Sequence, residues 1–446
     1  MLSTVVRELD EQILNDPGLD QHLFDELITA QRELGLVYGQ RPTCPFLRPH
    51  IMSRSEYDDV TRAAQTIAVA VEKLVNQALN DEELLKVLGL TDRETKMARI
   101  DPGYPRLCVS SRLDAYVSDS AFQFLEYNAE TPAGVGDQMQ LEKVLFRLNH
   151  LKQLLQGHAH WRPQPHRRLL SALLAAYREW GGEEEHPQIA IVDWKGVATE
   201  SEFRILQQYF GAEGCQTVIA DPGELRYDND YLRAGDFRID ILYKRVVIHE
   251  FLERCDEHHP LALAYADGRI CMANSFRTKI AHKKAGFAIL SDPQYRDLFD
   301  PEEIEIFRRH IPWTRRLVKG MVTFHGAEYD LISLIHREQN RLVLKPNDDY
   351  GGHGVFLGWE TAPDVWERAI ASALERPYIV QERIPMKKFS MPTFTDQVRM
   401  EEMFVDFNPF LFNNEPEGAL IRLSSSSLLN VTSGGGQTAL LVLEDM

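Results

Sequence analysis

The stretch RLDAYVSDSAFQFLEYNAETPAGVG, residues 112–136, constrains this chain more than any other. It reads as two short strands joined by a polar turn at Val117–Ser120. Side chains two apart on a strand point to the same face. Arg112 and Asp114 therefore share a face of the first strand, and Glu126 and Asn128 share a face of the second. Paired as a hairpin, the strands would gather a guanidinium, two carboxylates and an amide. Carboxylate and amide oxygens are hard ligands, a set that suits Mg²⁺ carrying phosphates. Pro132 lacks a donor and Gly134 permits a sharp turn, so the second strand ends there. Taken alone, the stretch reads equally well as a core strand built on Phe122 and Phe124 with a polar end.

A chain of 446 residues has room for two or three domains with sizeable cores. Its formal net charge of −18 argues against nucleic acid and anionic membranes as partners. The five cysteines are scattered and form no CxxC pair, which points to a reduced, cytoplasmic compartment. No secretory signal and no apolar run of membrane-spanning length is visible.

Residues 1–100 read as a helical region, with Val60, Ala63, Ile67, Val71 and Leu74 marking a packing stripe and a proline-punctuated connector at 41–50. Residues 101–160 hold the hairpin and a helix over Gln138–Leu155. Residues 161–274 alternate: strands at Gln188–Val192, Gln216–Ala220 and Ile239–Tyr243, helices at Ser201–Tyr209 and from Val247. That alternation predicts a parallel α/β unit, and the lack of a GxGxxG turn argues against a dinucleotide site. Residues 275–446 begin with a lysine-rich helix, Arg277–Leu290. Strands follow at Arg341–Pro346, Val355–Trp359, Pro377–Glu382, Ala419–Leu423 and Ala439–Leu443.

In KPNDDYGGHGV, Lys345 closes a strand, and Gly351, Gly352 and Gly354 crowd the turn after it. Glycines let backbone N–H groups approach phosphate, and a lysine offers it a point charge. Taken alone, the stretch is more often an ordinary hairpin turn. In PYIVQE, an apolar strand ends in Gln381 and Glu382, placed either against a nucleoside or in solvent. Lys283 and Lys284 fall in a helical pattern whose default is a solvated face. His249, His258 and His259 lack zinc-ligand spacing, and Ser424–Ser427 lacks a GxSxG elbow.

Together these pieces resemble the glutathionylspermidine synthetase-like, circularly permuted ATP-grasp ligases. The resemblance is carried by Arg112-Leu113-Asp114, by Glu126-Tyr127-Asn128-Ala129-Glu130-Thr131-Pro132, by Lys284 before an alanine, by the Lys345–Val355 loop and by Tyr378–Gln381. The permutation is in the order: the metal strand comes before the lysine strands. Glu130 stands where the family has Asp, and the glycine loop carries His353. The resemblance implies an α/β and α+β fold: a permuted ATP-grasp core, a pre-ATP-grasp-like α/β unit and a helical N-terminal region. It implies a ligase that uses ATP and Mg²⁺ to join a small-molecule or peptide carboxylate to an amine through an acyl phosphate. In that frame Asp114, Glu126 and Asn128 hold Mg²⁺. Lys284, Lys345 and the loop of Gly351, Gly352 and Gly354 contact phosphates. Gln381 and Glu382 face the nucleoside, and Arg112 is catalytic. The alternatives are an inactive nucleotide-binding scaffold of the same fold and a small-molecule phosphotransferase.

Overall fold

The structure is a computed structural model that describes residues 2–117, 122–349, 351–394, 397–427, 429 and 435–445. The fold is mixed α/β. A long helix, α1 (Arg54–Ala78), runs through the N-terminal region, and all five residues of its expected stripe are buried. Ser53 and Glu56 close a capping box at its start. A short helix, α2 (Asp92–Ala98), starts from a second box made by Thr91 and Glu94.

The hairpin forms as expected from β1 (Ser110–Val117) and β2 (Phe122–Asn128), paired antiparallel. The turn expected at Val117–Ser120 lies largely outside the described residues. Phe124 is fully buried, so the core reading of that residue and the convergence of the polar ones hold together. The single helix expected over Gln138–Leu155 is two, Asp137–Leu145 and Asn149–Gly157.

The α/β unit follows. Strand β3 (Ile189–Val192) leads through α3 (Glu200–Ala212) to β4 (Thr217–Ala220), and β5 (Ile241–Lys244) leads through α4 (Ile248–Arg254) to β6 (Cys271–Ala273). These strands pair in parallel in the order β6-β5-β3-β4. The unit meets the hairpin at Asn274, whose amide donates to the Ser110 and Ala129 carbonyls at 2.6 and 2.7 Å.

The lysine-rich segment expected as one helix is broken. It forms α5 (Thr278–His282) and α6 (Ala285–Leu290), with Lys283 extended at ψ 122° between them. No proline or glycine causes the break; tertiary ion pairs described below hold Lys283 out of helical register. Strands β7 (Thr314–Arg316), β8 (Leu342–Pro346), β9 (Phe356–Leu357) and β10 (Tyr378–Glu382) make a sheet in the order β7-β10-β8-β9.

Beyond it lies an element absent from the expectations, the 15-residue strand β12 (Val398–Phe412). It pairs with β11 (Lys388–Phe394), with β13 (Glu415–Ser424) and with β1, so the hairpin becomes the edge of a sheet ordered β14-β13-β12-β1-β2, with β14 at Gly436–Thr438. Among the described residues no helix is long and apolar enough to cross a membrane.

Candidate functional site

Register sets the polar cluster. Arg112 lies opposite Asn128 and Asp114 opposite Glu126, with a bulge between Asp114 and Ala115. Asn128 Nδ2 donates to Asp114 Oδ1 at 3.0 Å and to Glu126 Oε1 at 3.4 Å. Arg112 grips Asp114 with two donors, Nε to Oδ1 at 2.7 Å and Nη2 to Oδ2 at 3.1 Å. Its third donor, Nη1, reaches the Ala133 carbonyl at 2.9 Å.

Across the sheet, Arg422 of β13 donates from Nη2 to Asp114 Oδ2 at 2.8 Å, and from Nε to Asp406 of β12 at 2.8 Å. Asn408, two residues along β12, donates to Asp406 at 2.7 Å, and its oxygen accepts the Ala115 N–H at the bulge. Asp406, Asn408 and Arg422 escaped the sequence reading. Their signal is an Asp and an Asn two apart in VDFN, the same spacing as Glu126 and Asn128.

Electrostatics keep the carboxylates ionised. Burial alone would raise the Asp114 pKa, but Arg112 and Arg422 hold it well below the ordinary carboxylate range. Burial also opposes ionisation of Glu126, and Lys284 and Lys345 overcome it. Asp406 goes the other way: burial outweighs Arg422 and lifts its pKa to about 6.

The two lysines approach from different elements, Lys284 from the start of α6 and Lys345 from β8 of the second sheet. Lys284 Nζ stands 3.3 Å from Glu126 Oε2 and donates to the Asp349 carbonyl at 2.8 Å. Lys345, at the end of β8, donates to Gln381 Oε1 at 2.7 Å, and burial brings its pKa down to about 8. Gln381 is itself held from behind, its amide on Thr314 Oγ1 at 3.0 Å. Glu382 accepts from Arg341 at 2.8 Å, with His325 Nε2 at 2.9 Å. Gly351, Gly352 and Gly354 have φ of 68°, 82° and 67°, a region that favours glycine. A Cβ on Gly354 would stand 2.8 Å from both Pro346 Cγ and Tyr378 Oη.

These groups surround a cleft of about 150 Å³, open to solvent. Asp114, Glu126, Lys284, Lys345 and Arg422 line its polar end. Leu125, Val343, Leu357, Ile384 and Met386 make an apolar wall, with Gln381 and Glu382 beside it. Gly351 and Gly352 form part of the rim. Three expected residues do not face the cleft. Arg112 and Asn128 sit behind Asp114 and Glu126, and Gly354 packs against Pro346 and Tyr378. Lys284 lines the cleft, whereas Lys283 turns away into a buried cluster with Glu94 and Asp348.

The donor set suits a divalent cation bound with phosphates. Glu126 is ionised, faces the cleft and, among the described residues, has only lysine and amide partners at 3.3 and 3.4 Å. Asp114 is more encumbered. Its two oxygens take four donors from Arg112, Asn128 and Arg422, which fills the roughly four lone-pair sites of a carboxylate.

No known family model matches the chain. An uncharacterised protein of Mycobacterium leprae is 24% identical over 440 residues, covering 91% of this chain and 73% of that one. A Frankia casuarinae protein provisionally named glutamate–cysteine ligase 2-2 is 24% identical over 351 residues; the match covers 71% of this chain but only 36% of that protein. A glutathione synthetase-like effector from Globodera pallida, solved in the apo form, superposes over 96% of this chain and 97% of its own with a TM-score of 0.61 at 14% identity. The chain therefore shares the overall fold of that effector.

Proposed function

We propose that this chain is an ATP- and Mg²⁺-dependent ligase with a circularly permuted ATP-grasp core, joining a small-molecule or peptide carboxylate to an amine through an acyl phosphate. One observation carries the reading: two ionised carboxylates, two lysines and an arginine line a single cleft together with the apolar side chains of Leu125, Val343, Leu357 and Ile384. The motif resemblance supports it, as do the ligase name borne by the Frankia protein and the synthetase-like name of the Globodera effector.

In this reading Glu126 would be the principal metal ligand, with Asn128 orienting it and Asp114 available as a second ligand were Arg422 to give up Oδ2. A Mg²⁺ ion held there would neutralise phosphate charge. Lys284 and Lys345 bind phosphate oxygens, and the Gly351–Gly354 loop covers them and excludes water, which an acyl phosphate requires. Leu125, Val343, Leu357 and Ile384 take the base, and Glu382 the ribose. Arg422 has a terminal nitrogen, Nη1, with no partner among the described residues, and binds the substrate carboxylate. Arg112 acts through Asp114 as a positioning residue.

Calorimetric titration with ATP, with and without Mg²⁺, tests the site. Mg²⁺-dependent binding that disappears in Glu126→Gln supports it. Folded wild-type protein that binds no ATP would overturn the reading. Hydroxylamine trapping of an acyl phosphate, and ADP release that needs both a carboxylate and an amine, separate a ligase from a phosphotransferase.

A further inference from the structure

Beside the cleft lies a buried cluster of charges that the proposed chemistry does not use. Lys279 of α5 is fully buried, and its ammonium donates to Glu130 Oε1 at 2.9 Å and to Asp348 Oδ1 at 2.7 Å. The other oxygen of Asp348 accepts from Lys283 at 2.6 Å, and Lys283 also donates to both oxygens of Glu94 at 2.9 Å. The other oxygen of Glu130 accepts the Ile248 N–H at the start of α4, at 2.7 Å. Glu130, His282 and Asp348 have ligand atoms within 4.8 Å of one another, a spacing that would suit a metal. The Lys279 ammonium already bridges both carboxylates, so the cluster carries its own cation.

The position of the cluster is what matters. Glu130 lies two residues past Asn128, at the exit of the metal-binding strand, and Asp348 lies three residues past Lys345, at the base of the glycine loop. The base is anchored again next door. The Lys284 N–H donates to the Asn347 carbonyl at 2.9 Å, and the Ala285 N–H to Asn347 Oδ1 at 2.8 Å. Asn347 Nδ2 donates to the Leu88 carbonyl at 2.8 Å. Past Asp349 the glycines take over, and Gly351, Gly352 and His353 are exposed.

We propose that Lys279 is a positioning residue: its buried ammonium sets the separation between the metal-strand exit at Glu130 and the glycine-loop base at Asp348. It thereby confines movement of the loop to the residues beyond Asp348. Without the ammonium, Glu130 and Asp348 would face each other as like charges with no cation between them, Lys283 remaining only on the far oxygen of Asp348, and would move apart. The effect on nucleotide affinity rests on the ligase reading; the anchoring does not.

Two readouts on the full-length protein separate the two. The first is amide hydrogen exchange without ligand, followed at Lys284 and Ala285, whose acceptors belong to Asn347. In Lys279→Met these amides should exchange about tenfold faster through local opening, while those of β8 keep their rates. Lys279→Arg should restore most of the protection. Unchanged exchange in folded Lys279→Met overturns the proposal. If that variant does not fold, Asp348→Asn takes its place under the same criteria.

The second readout is Mg²⁺–ATP affinity, expected to fall about tenfold in the same variants, because a misplaced loop base moves phosphate donors out of reach. Faster exchange with unchanged affinity would also overturn the positioning role. Wild-type protein that fails to bind ATP would defeat the ligase reading, and the exchange result would still decide the anchoring.

Discussion

Replacing Arg112 with methionine should cost about 3 kcal/mol of stability, because Arg112 is the main support of a buried carboxylate. Two of its donors serve Asp114 and the third serves the Ala133 carbonyl. Removing one partner of a buried ion pair costs about 3–5 kcal/mol, since the other charge is stranded. Arg422 and Asn128 stay on Asp114, which places the loss at the lower end. The control is the same change in an Asp114→Asn background. With no charge to strand, the loss should drop to about 1 kcal/mol, the worth of an ordinary hydrogen bond. The coupling of about 2 kcal/mol is measurable by urea unfolding of the four proteins in the cycle. Its pH dependence has a defined sign. The folded Asp114 pKa lies below its unfolded value, so its contribution is complete above the ordinary carboxylate range and shrinks as pH falls beneath it. The gap between wild type and Arg112→Met should therefore narrow on acidification below about pH 4. Equal losses in the two backgrounds, or a gap that widens in acid, would refute the pairing argument.

Lys345 is charged below about pH 8 because burial lowers its pKa, so ATP affinity should weaken between pH 7 and roughly pH 9.5; in Lys345→Arg, which stays charged, a calorimetric pH series should lose that slope. Gly354→Ala meets Pro346 and Tyr378 at 2.8 Å with φ of 67°, and should cost about 1–3 kcal/mol of local stability, read as faster exchange across the loop with β3 to β6 unaffected. Arg422→Leu should abolish acyl-phosphate formation while leaving Mg²⁺–ATP binding intact, as checked by hydroxylamine trapping beside calorimetry. Loss of ATP binding in that variant would place Arg422 on the nucleotide instead.

The sequence revealed what short-range geometry controls. A period of two put Arg112 with Asp114 and Glu126 with Asn128, and an antiparallel pairing completed the set. Buried strands with turn signals between them, such as 188–192, were also legible. Strand β12 was not. Its first half, VRMEEMF, carries the charges of an exposed strand, and Pro409 sits in its second half, where proline usually argues against a central strand. The register shift beside Pro409 is how the sheet accommodates it. The break at Lys283 was hidden for a related reason. Residues 277–290 contain no local signal for it, and the cause is a salt bridge to Glu94, 189 positions away.

The same contrast explains how Asp114 is held. Its pairing with Arg112 is a two-residue matter, but the donor on the cleft side, Arg422, comes from 308 positions along the chain. The local partner is buried and has all three nitrogens committed, so it is suited to hold the carboxylate still. The distant partner lines the cleft, divides its donors between Asp114 and Asp406 and is the one able to let go. Asp406 makes that release cheaper. In the proposed reading its carboxylate would remain to balance the guanidinium if Asp114 turned to a metal ion, and it is fully buried beside Arg422. In the proposed reading one sheet thus separates two duties, rigidity from Arg112 on β1 and exchange from Arg422 on β13, two strands away, and only the rigid half lies close enough in sequence to be read there.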